Sequence, residues 1–199
     1  SIFHPVSEYY CMKCGKPVKM EEEYCVVCRE GGHYFTEGRS IFPYGEIWRQ
    51  SLIRFKYYGC REYGDFYAKA MSVYGRRYLE RWKPQLIVPV PLHPAKKRMR
   101  GFNQAAYLAE RLSCYTGIPW TDSLVLKIRN TRSQKKLDAL QRRNNLRKAY
   151  EVTHKLDDIS ILVVDDVYTT GSTMDAMAIC LTEAGAQAVY FLTVCAGRQ

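Results

Sequence analysis

No part of this chain is apolar for long enough to cross a bilayer as a helix. The longest nearly unbroken apolar run, residues 188–196, includes Thr193 and falls far short of the about 18 residues such a span needs. The first ten residues lack the basic start and apolar centre of a secretory leader. There is no internal repeat and no low-complexity tract, which sets aside solenoids and long disordered tails. The expectation is a cytoplasmic protein with no membrane insertion. Acidic residues are nearly missing from two stretches. Residues 96–100 hold Lys96, Lys97, Arg98 and Arg100, and residues 127–148 hold nine basic residues against Asp138 alone. These stretches carry a net +12 in a chain whose total is +10, so the remainder is slightly acidic. Charge this local points to an anionic ligand rather than to general solubility, with a solvated basic face as the plainer alternative.

What is present fits a soluble globular protein: 47% hydrophobic and 25% charged residues, with room in 199 residues for one ordinary domain and a small appendage. The eight cysteines fall into two groups. Cys60, Cys114, Cys180 and Cys195 are scattered among apolar or helical residues and read as small buried hydrophobes in a reducing compartment. Cys11, Cys14, Cys25 and Cys28 form two C-x2-C units. Two residues between thiols let one turn aim both sulfurs at one ion, and Gly15 allows the left-handed backbone that points N–H groups back at them. The pattern reads as a closed four-sulfur structural zinc site with no open position for catalysis. Two disulfides or four free thiols are the alternatives. His4 and His33 flank the site, and with four sulfurs available neither is needed as a ligand. The expected division is a zinc-ribbon-like module over residues 1–38 and an α/β domain over 39–199.

Apolar residues Trp48, Leu52 and Phe55 recur at helical spacing over 46–58. Residues 62–82 read as a helix interrupted by Gly64 and Gly75, and 86–90 as a buried strand. Residues 93–102 read as a basic loop. Asn103 caps a helix with Ala105, Leu108, Ala109 and Leu112 on its inner face. Residues 124–128 form another strand, and 131–146 a basic, poorly periodic mobile loop. A strand at 159–164, a helix at 172–184 and a strand at 188–194 complete the chain. Strands alternating with helices predict a parallel sheet with helices on both faces, whose ligands bind beyond the strands' carboxyl ends. His93 and His154 read as turn and loop residues. Lys56, ending the first helix, is within reach of such a ligand, though its spacing establishes no role.

The most informative segment is 161–173. Four apolar residues, Ile161 to Val164, lead to Asp165 and Asp166, then to a hydroxyl-rich loop with one glycine, then to a helix. Free N–H groups of such a loop and the positive end of the helix grip a phosphate, and the acids can accept hydrogen bonds from ribose hydroxyls.

This segment resembles the phosphoribosyl pyrophosphate motif of type I phosphoribosyltransferases. Three further features resemble the ComF family: the cysteine knuckle; Pro89-Val90-Pro91-Leu92-His93 followed by Arg100-Gly101-Phe102-Asn103-Gln104; and Gln134-x2-Leu137, Arg142-x2-Asn145 and Ala149-Tyr150. The family includes proteins tied to DNA uptake in naturally competent bacteria. The resemblance implies that Asp165 and Asp166 bind the ribose hydroxyls. Val167, Thr169, Thr170, Gly171, Ser172 and Thr173 would then surround the 5′-phosphate, with Arg98 and Arg100 neutralising pyrophosphate. Asp165, Asp166 and Arg100 would carry catalysis, with a hood holding Gln134, Arg142 and Asn145. Magnesium is implied with the ligand. Purine-salvage relatives place an acid where this chain has Thr169, which argues against a hypoxanthine- or guanine-type acceptor. Two functions stay open: phosphoribosyl transfer to a nitrogen acceptor, and non-catalytic binding of phosphoribosyl pyrophosphate and single-stranded DNA in DNA uptake. For the second, Tyr9, Tyr10, Tyr24 and Tyr34 are the candidate base-stacking residues.

Overall fold

A computed structural model describes residues 9–43, 45–128 and 148–197. Its central sheet has four parallel strands, in spatial order β1 (Glu37–Pro43), β6 (Ala188–Ala196), β5 (Ser160–Tyr168) and β2 (Leu86–Pro89). One face is covered by α2 (Glu46–Tyr57), α3 (Glu62–Tyr74), α4 (Arg76–Trp82) and α6 (Gln104–Thr116). The other meets α7 (Ser172–Glu183), the antiparallel pair β3 (Val125–Lys127) and β4 (Tyr150–Val152), and the cysteine module with its single turn α1 (Val26–Arg29). Strand alternation divides β5 between these layers: Leu162 and Val164 pack into the first, Ile161 and Val163 into the second. This is the parallel sheet with helices on both faces that the sequence predicts. Among the described residues no helix is long and apolar enough to cross a membrane.

Several elements differ from the sequence reading. Residues 93–102, expected as a loop, contain the helix α5 (Pro94–Arg100). Its end signals are all local: the His93 ring accepts from the Ala95 N–H at 3.3 Å, Pro94 takes a first-turn place where no N–H is needed, and Gly101 closes it at φ +78°. Four basic residues in a seven-residue stretch hid that pattern. The helix expected over 62–82 breaks in two at Gly75. β3 pairs with β4 outside the main sheet. β5 runs on through Tyr168, so the two acids lie within the strand and not just beyond it. β1 has no counterpart in the sequence reading, because Gly38, Arg39 and Ser40 interrupt its apolar pattern. Gly38 answers a packing need: a Cβ there would stand 2.0 Å from the Phe191 ring. Of the scattered cysteines only Cys180 and Cys195 are buried; Cys60 is half-buried and Cys114 exposed. The basic segment 131–146 lies outside the described residues.

Candidate functional site

Asp165 and Asp166 point to opposite faces of β5, as strand geometry requires. Asp166 faces α2 and α6 and is buried. Lys56, in the last turn of α2, forms an ion pair with its Oδ2. Gln104, the first residue of α6, donates from Nε2 to its Oδ1 at 3.4 Å. The Gln104 oxygen accepts in turn from Arg100 Nη1 at 3.0 Å. Arg100 Nη2 donates to the Tyr57 hydroxyl at 2.9 Å, and the guanidinium lies 4.8 Å over the Tyr57 ring. Arg100 Nε is buried without a partner, the kind of donor an anionic oxygen would satisfy. Burial alone would raise the Asp166 pKa, but the Lys56 ammonium and the hydrogen bonds from Lys56, Gln104 and Asp165 together outweigh it and hold the carboxyl below its usual range. Lys56 correspondingly keeps its charge: burial disfavours it, and Asp166 more than compensates.

Asp165 faces β3 and β4 and is half-buried. Its Oδ1 accepts from the Asp166 N–H at 2.8 Å. Burial, reinforced by the neighbouring Asp166 charge, pushes its carboxyl well above the usual range. The Asp165 charge also reaches Tyr150 of β4, whose hydroxyl burial already pushes up. Lys127 of β3 donates to that hydroxyl at 3.4 Å. Burial and the nearby Lys96 of α5 lower the Lys127 pKa, with Asp165 opposing them. Lys127 of one basic stretch therefore lies within electrostatic reach of both Asp165 and Lys96 of the other.

Beyond Tyr168 the chain bends through Thr169, Thr170 and Gly171 into α7. Gly171 is buried at φ +88°, a left-handed conformation that favours glycine, and caps α7 without a side-chain hydrogen bond. Thr169, Thr170, Ser172 and Thr173 are exposed. The Thr170 and Ser172 hydroxyls are 3.0 Å apart, and the Ser172 N–H donates to Thr170 Oγ1 at 3.4 Å. First-turn N–H groups have no partner within a helix, so this end of the 12-residue α7 presents donors and hydroxyls together.

In the amino-terminal module the sulfurs of Cys11, Cys14, Cys25 and Cys28 all lie within 4.8 Å of one another, and all four residues are buried. Every cysteine of the chain is a free thiol, which removes the disulfide alternative. Hydrogen bonds from Cys14 and Cys28 hold the Cys11 thiol far below its usual range. The reverse side of that sharing pushes Cys14 up to about 12 and Cys28 higher still. The Lys16 N–H faces the Cys14 sulfur past Gly15, which stands at φ +73° as the sequence reading requires. Four soft sulfur donors can hold a metal ion and suit zinc.

Comparison with known proteins agrees with this architecture. Residues 68–199 match the family model of the phosphoribosyl transferase domain. Competence protein F of Haemophilus influenzae is 30% identical over 193 residues, covering 92% of this chain and 77% of that protein. Competence protein ComFC of Bacillus subtilis is 28% identical over 198 residues, covering 90% and 74%. The chain belongs to the ComF family of phosphoribosyltransferase-domain proteins. A shorter match, to DNA utilization protein YhgH of Salmonella typhi, is 35% identical over 112 residues, covering 56% of this chain and 49% of that one.

In this ComF member the structure brings Asp165, Asp166, Arg100 and the bend 169–173 to one edge of the sheet, with Val167 half-buried between them. Arg98 is exposed on α5. Gln134, Arg142 and Asn145 lie outside the described residues. Tyr9, Tyr24 and Tyr34 are exposed, whereas Tyr10 is half-buried with Arg39 4.8 Å over its ring. Sequence reasoning missed Gln104, Tyr57, Lys96, Lys127 and Tyr150 as members of this cluster. Gln104 stood in the Arg100–Gln104 motif without a role, and Tyr57 carried no local signal, because what each does depends on α2, α6 and β5 meeting. Lys96 and Lys127 did carry one, in the two basic stretches.

Proposed function

We propose that this ComF-family protein binds phosphoribosyl pyrophosphate with magnesium in the cytoplasm and transfers its phosphoribosyl group to a nitrogen nucleophile. Structural zinc on Cys11, Cys14, Cys25 and Cys28 belongs to the same reading. The observation that carries it is the exposed, hydroxyl-rich bend 169–173, opening a helix directly after two strand carboxylates. The bend would take the 5′-phosphate and Asp165 the ribose hydroxyls. Asp166, already closed by Lys56, would act by fixing Gln104 and thereby Arg100. Lys96, Lys127 and the unpartnered Arg100 Nε would meet pyrophosphate. Magnesium, carried chiefly by the ligand's own oxygens, would neutralise the leaving group; Asp165 fits as its protein carboxylate and the ion-paired Asp166 does not. In the transfer the acceptor nitrogen's lone pair forms the bond to ribose C1 as the C1–O bond to pyrophosphate breaks. Pyrophosphate leaves with that electron pair, and the nitrogen sheds its proton to solvent. Fixed cations beside the departing oxygens lower the barrier because their positions are set before charge develops.

A second reading rests on the relatives' printed names, competence and DNA utilization, and on the exposed Tyr9, Tyr24 and Tyr34: the pocket serves regulation while the chain handles single-stranded DNA. Pyrophosphate release from phosphoribosyl pyrophosphate and magnesium, screened across nucleobases, separates them. Release with one acceptor supports transfer. Tight binding of the sugar without release, alongside salt-sensitive binding of single-stranded DNA, favours the second. Absence of any binding of the sugar by calorimetry overturns both.

A further inference from the structure

The cysteine module and the phosphate bend are joined by one buried contact. Asp175, in the first turn of α7 and only 5% exposed, gives both carboxylate oxygens to the module. His33 Nδ1 lies 2.9 Å from Oδ2, and the Tyr34 N–H donates to Oδ1 at 2.8 Å. A carboxylate only accepts, so the imidazole proton sits on Nδ1. Nε2 is then left to accept from the Tyr168 hydroxyl at 3.3 Å. The same ring lies directly beneath the bend: a Cβ at Gly171 would stand 2.4 Å from His33 Cε1 and 2.9 Å from Nδ1. The Asp175 N–H meanwhile donates to the Gly171 carbonyl at 2.8 Å. One imidazole therefore touches the residue before the bend, its glycine, and the helical turn after it. On the other side Lys13, between Cys11 and Cys14, donates to the His33 carbonyl at 2.9 Å. The Lys16 ammonium lies 5.4 Å over the Tyr168 ring.

We propose that His33 is a positioning residue that, with Asp175, holds the phosphate bend in its binding shape, so that metal on the four cysteines governs how well the bend is formed. The ordering of 169–173 is the core of the proposal; its consequence for sugar-phosphate affinity rests on the function proposed above. Among the described residues, the module's buried apolar side chains beyond Phe35 are the four cysteines themselves, so its ion supplies much of what keeps it folded. When it loosens, His33 leaves, both Asp175 oxygens lose their donors, and only the Tyr168 hydroxyl still backs Gly171.

The test uses the full chain, metal-loaded and after chelation, with amide hydrogen exchange read at 169–175. Chelation should speed exchange there by about tenfold or more while residues 161–164 and 190–194 stay protected. His33→Ala should give most of that acceleration with one zinc per chain retained, and chelating that variant should add only the smaller share held by the Tyr34 N–H on Asp175 Oδ1. His33→Asn, whose amide N–H can stand in for Nδ1–H, should restore most of the protection, which mere loss of packing would not allow. Calorimetry with phosphoribosyl pyrophosphate and magnesium should show affinity falling about tenfold in parallel. Unchanged exchange at the bend after chelation or in His33→Ala overturns the proposal. So does equal loss of protection through the central strands, which would mean global unfolding. If the metal-loaded wild type binds no phosphoribosyl pyrophosphate, the function reading fails, and the exchange result still decides the coupling.

Discussion

Asp165 and Asp166 are the same residue type one step apart, and they live in opposite surroundings. On the Asp166 face α2 delivers Lys56 and α6 delivers Gln104, so the carboxylate is buried, paired and held in its charged form. On the Asp165 face the short ribbon β3–β4 delivers Tyr150 and Lys127, and among the described residues no cation lies within ion-pair distance of Asp165. Its charge is disfavoured by burial and by Asp166 itself. Strand alternation alone separates the two. The lesson is a division of labour within a dipeptide: Asp166 fastens the site's frame, and Asp165 is left wanting the donors or the cation that a ligand would bring.

The largest expected effect comes from breaking the fastened side. Asp166→Ala leaves the half-buried Lys56 ammonium and the buried Gln104 amide without a partner, which should cost about 3 kcal/mol of unfolding free energy in urea. Replacing Lys56 by Met in the same chain should recover much of that, because the uncompensated charge is gone. A fully stable single variant would show that the pair contributes nothing to the frame.

Next in size is the open side. Asp165→Asn should leave the unfolding midpoint at neutral pH unchanged or higher, since it removes a disfavoured charge. It should weaken phosphoribosyl pyrophosphate with magnesium by about tenfold or more, the worth of one hydrogen-bonded charged acceptor. Calorimetry on the two variants would expose the contrast. If Asp165→Asn destabilises as strongly as Asp166→Ala, the division of labour is wrong.

The two carboxyls should also leave opposite marks on stability as pH changes. The depressed pKa of Asp166 adds stability that is present above the unfolded-state value of about 3.9 and is lost as pH falls through its folded value. For Asp165 the folded value is raised, so its contribution is present below about pH 3.9 and is lost as pH rises through its folded value. Urea midpoints of wild type and Asp165→Asn, measured from pH 4 upward, should therefore diverge. Wild type loses ground as pH rises and the variant does not. Parallel curves would place Asp165 in an ordinary solvated setting.

How much of this was legible in the sequence follows from range. The strands and helices that build the sheet announce themselves through apolar period and end signals, as Asn103 does by accepting from the Ala105 N–H at 3.0 Å. The four cysteines are legible because their spacing is the chemistry. The bend at 169–173 is legible because strand, acids, glycine and helix are contiguous. The partners are not. Lys56 and Asp166 are 110 positions apart, and His33 and Asp175 are 142 apart. No local pattern says which helix face meets which strand face, so a histidine that looked like a spare flank of the knuckle lies beneath Gly171 in the bend 169–173. β1 was hidden for a packing reason: Gly38 is present to admit Phe191, and it removes the side chain that would have signalled a strand.

The smallest effect tests the outer rim of the fastened side. The Tyr57 hydroxyl accepts from Arg100 at 2.9 Å while its ring supports the same guanidinium, and Tyr57 itself is 53% exposed. Tyr57→Phe removes the acceptor and keeps the ring, so Arg100 retains Gln104 and its stacking and loses one solvent-accessible hydrogen bond. Stability should not change measurably, and affinity for phosphoribosyl pyrophosphate should fall about threefold, the lower end for a single hydrogen bond. Tyr57→Ala removes the stacking as well and should cost more. A Tyr57→Phe effect as large as that of Asp165→Asn would mean that Arg100 is the principal contact with the ligand. The open side of β5 would then have been credited with binding that belongs to the other face.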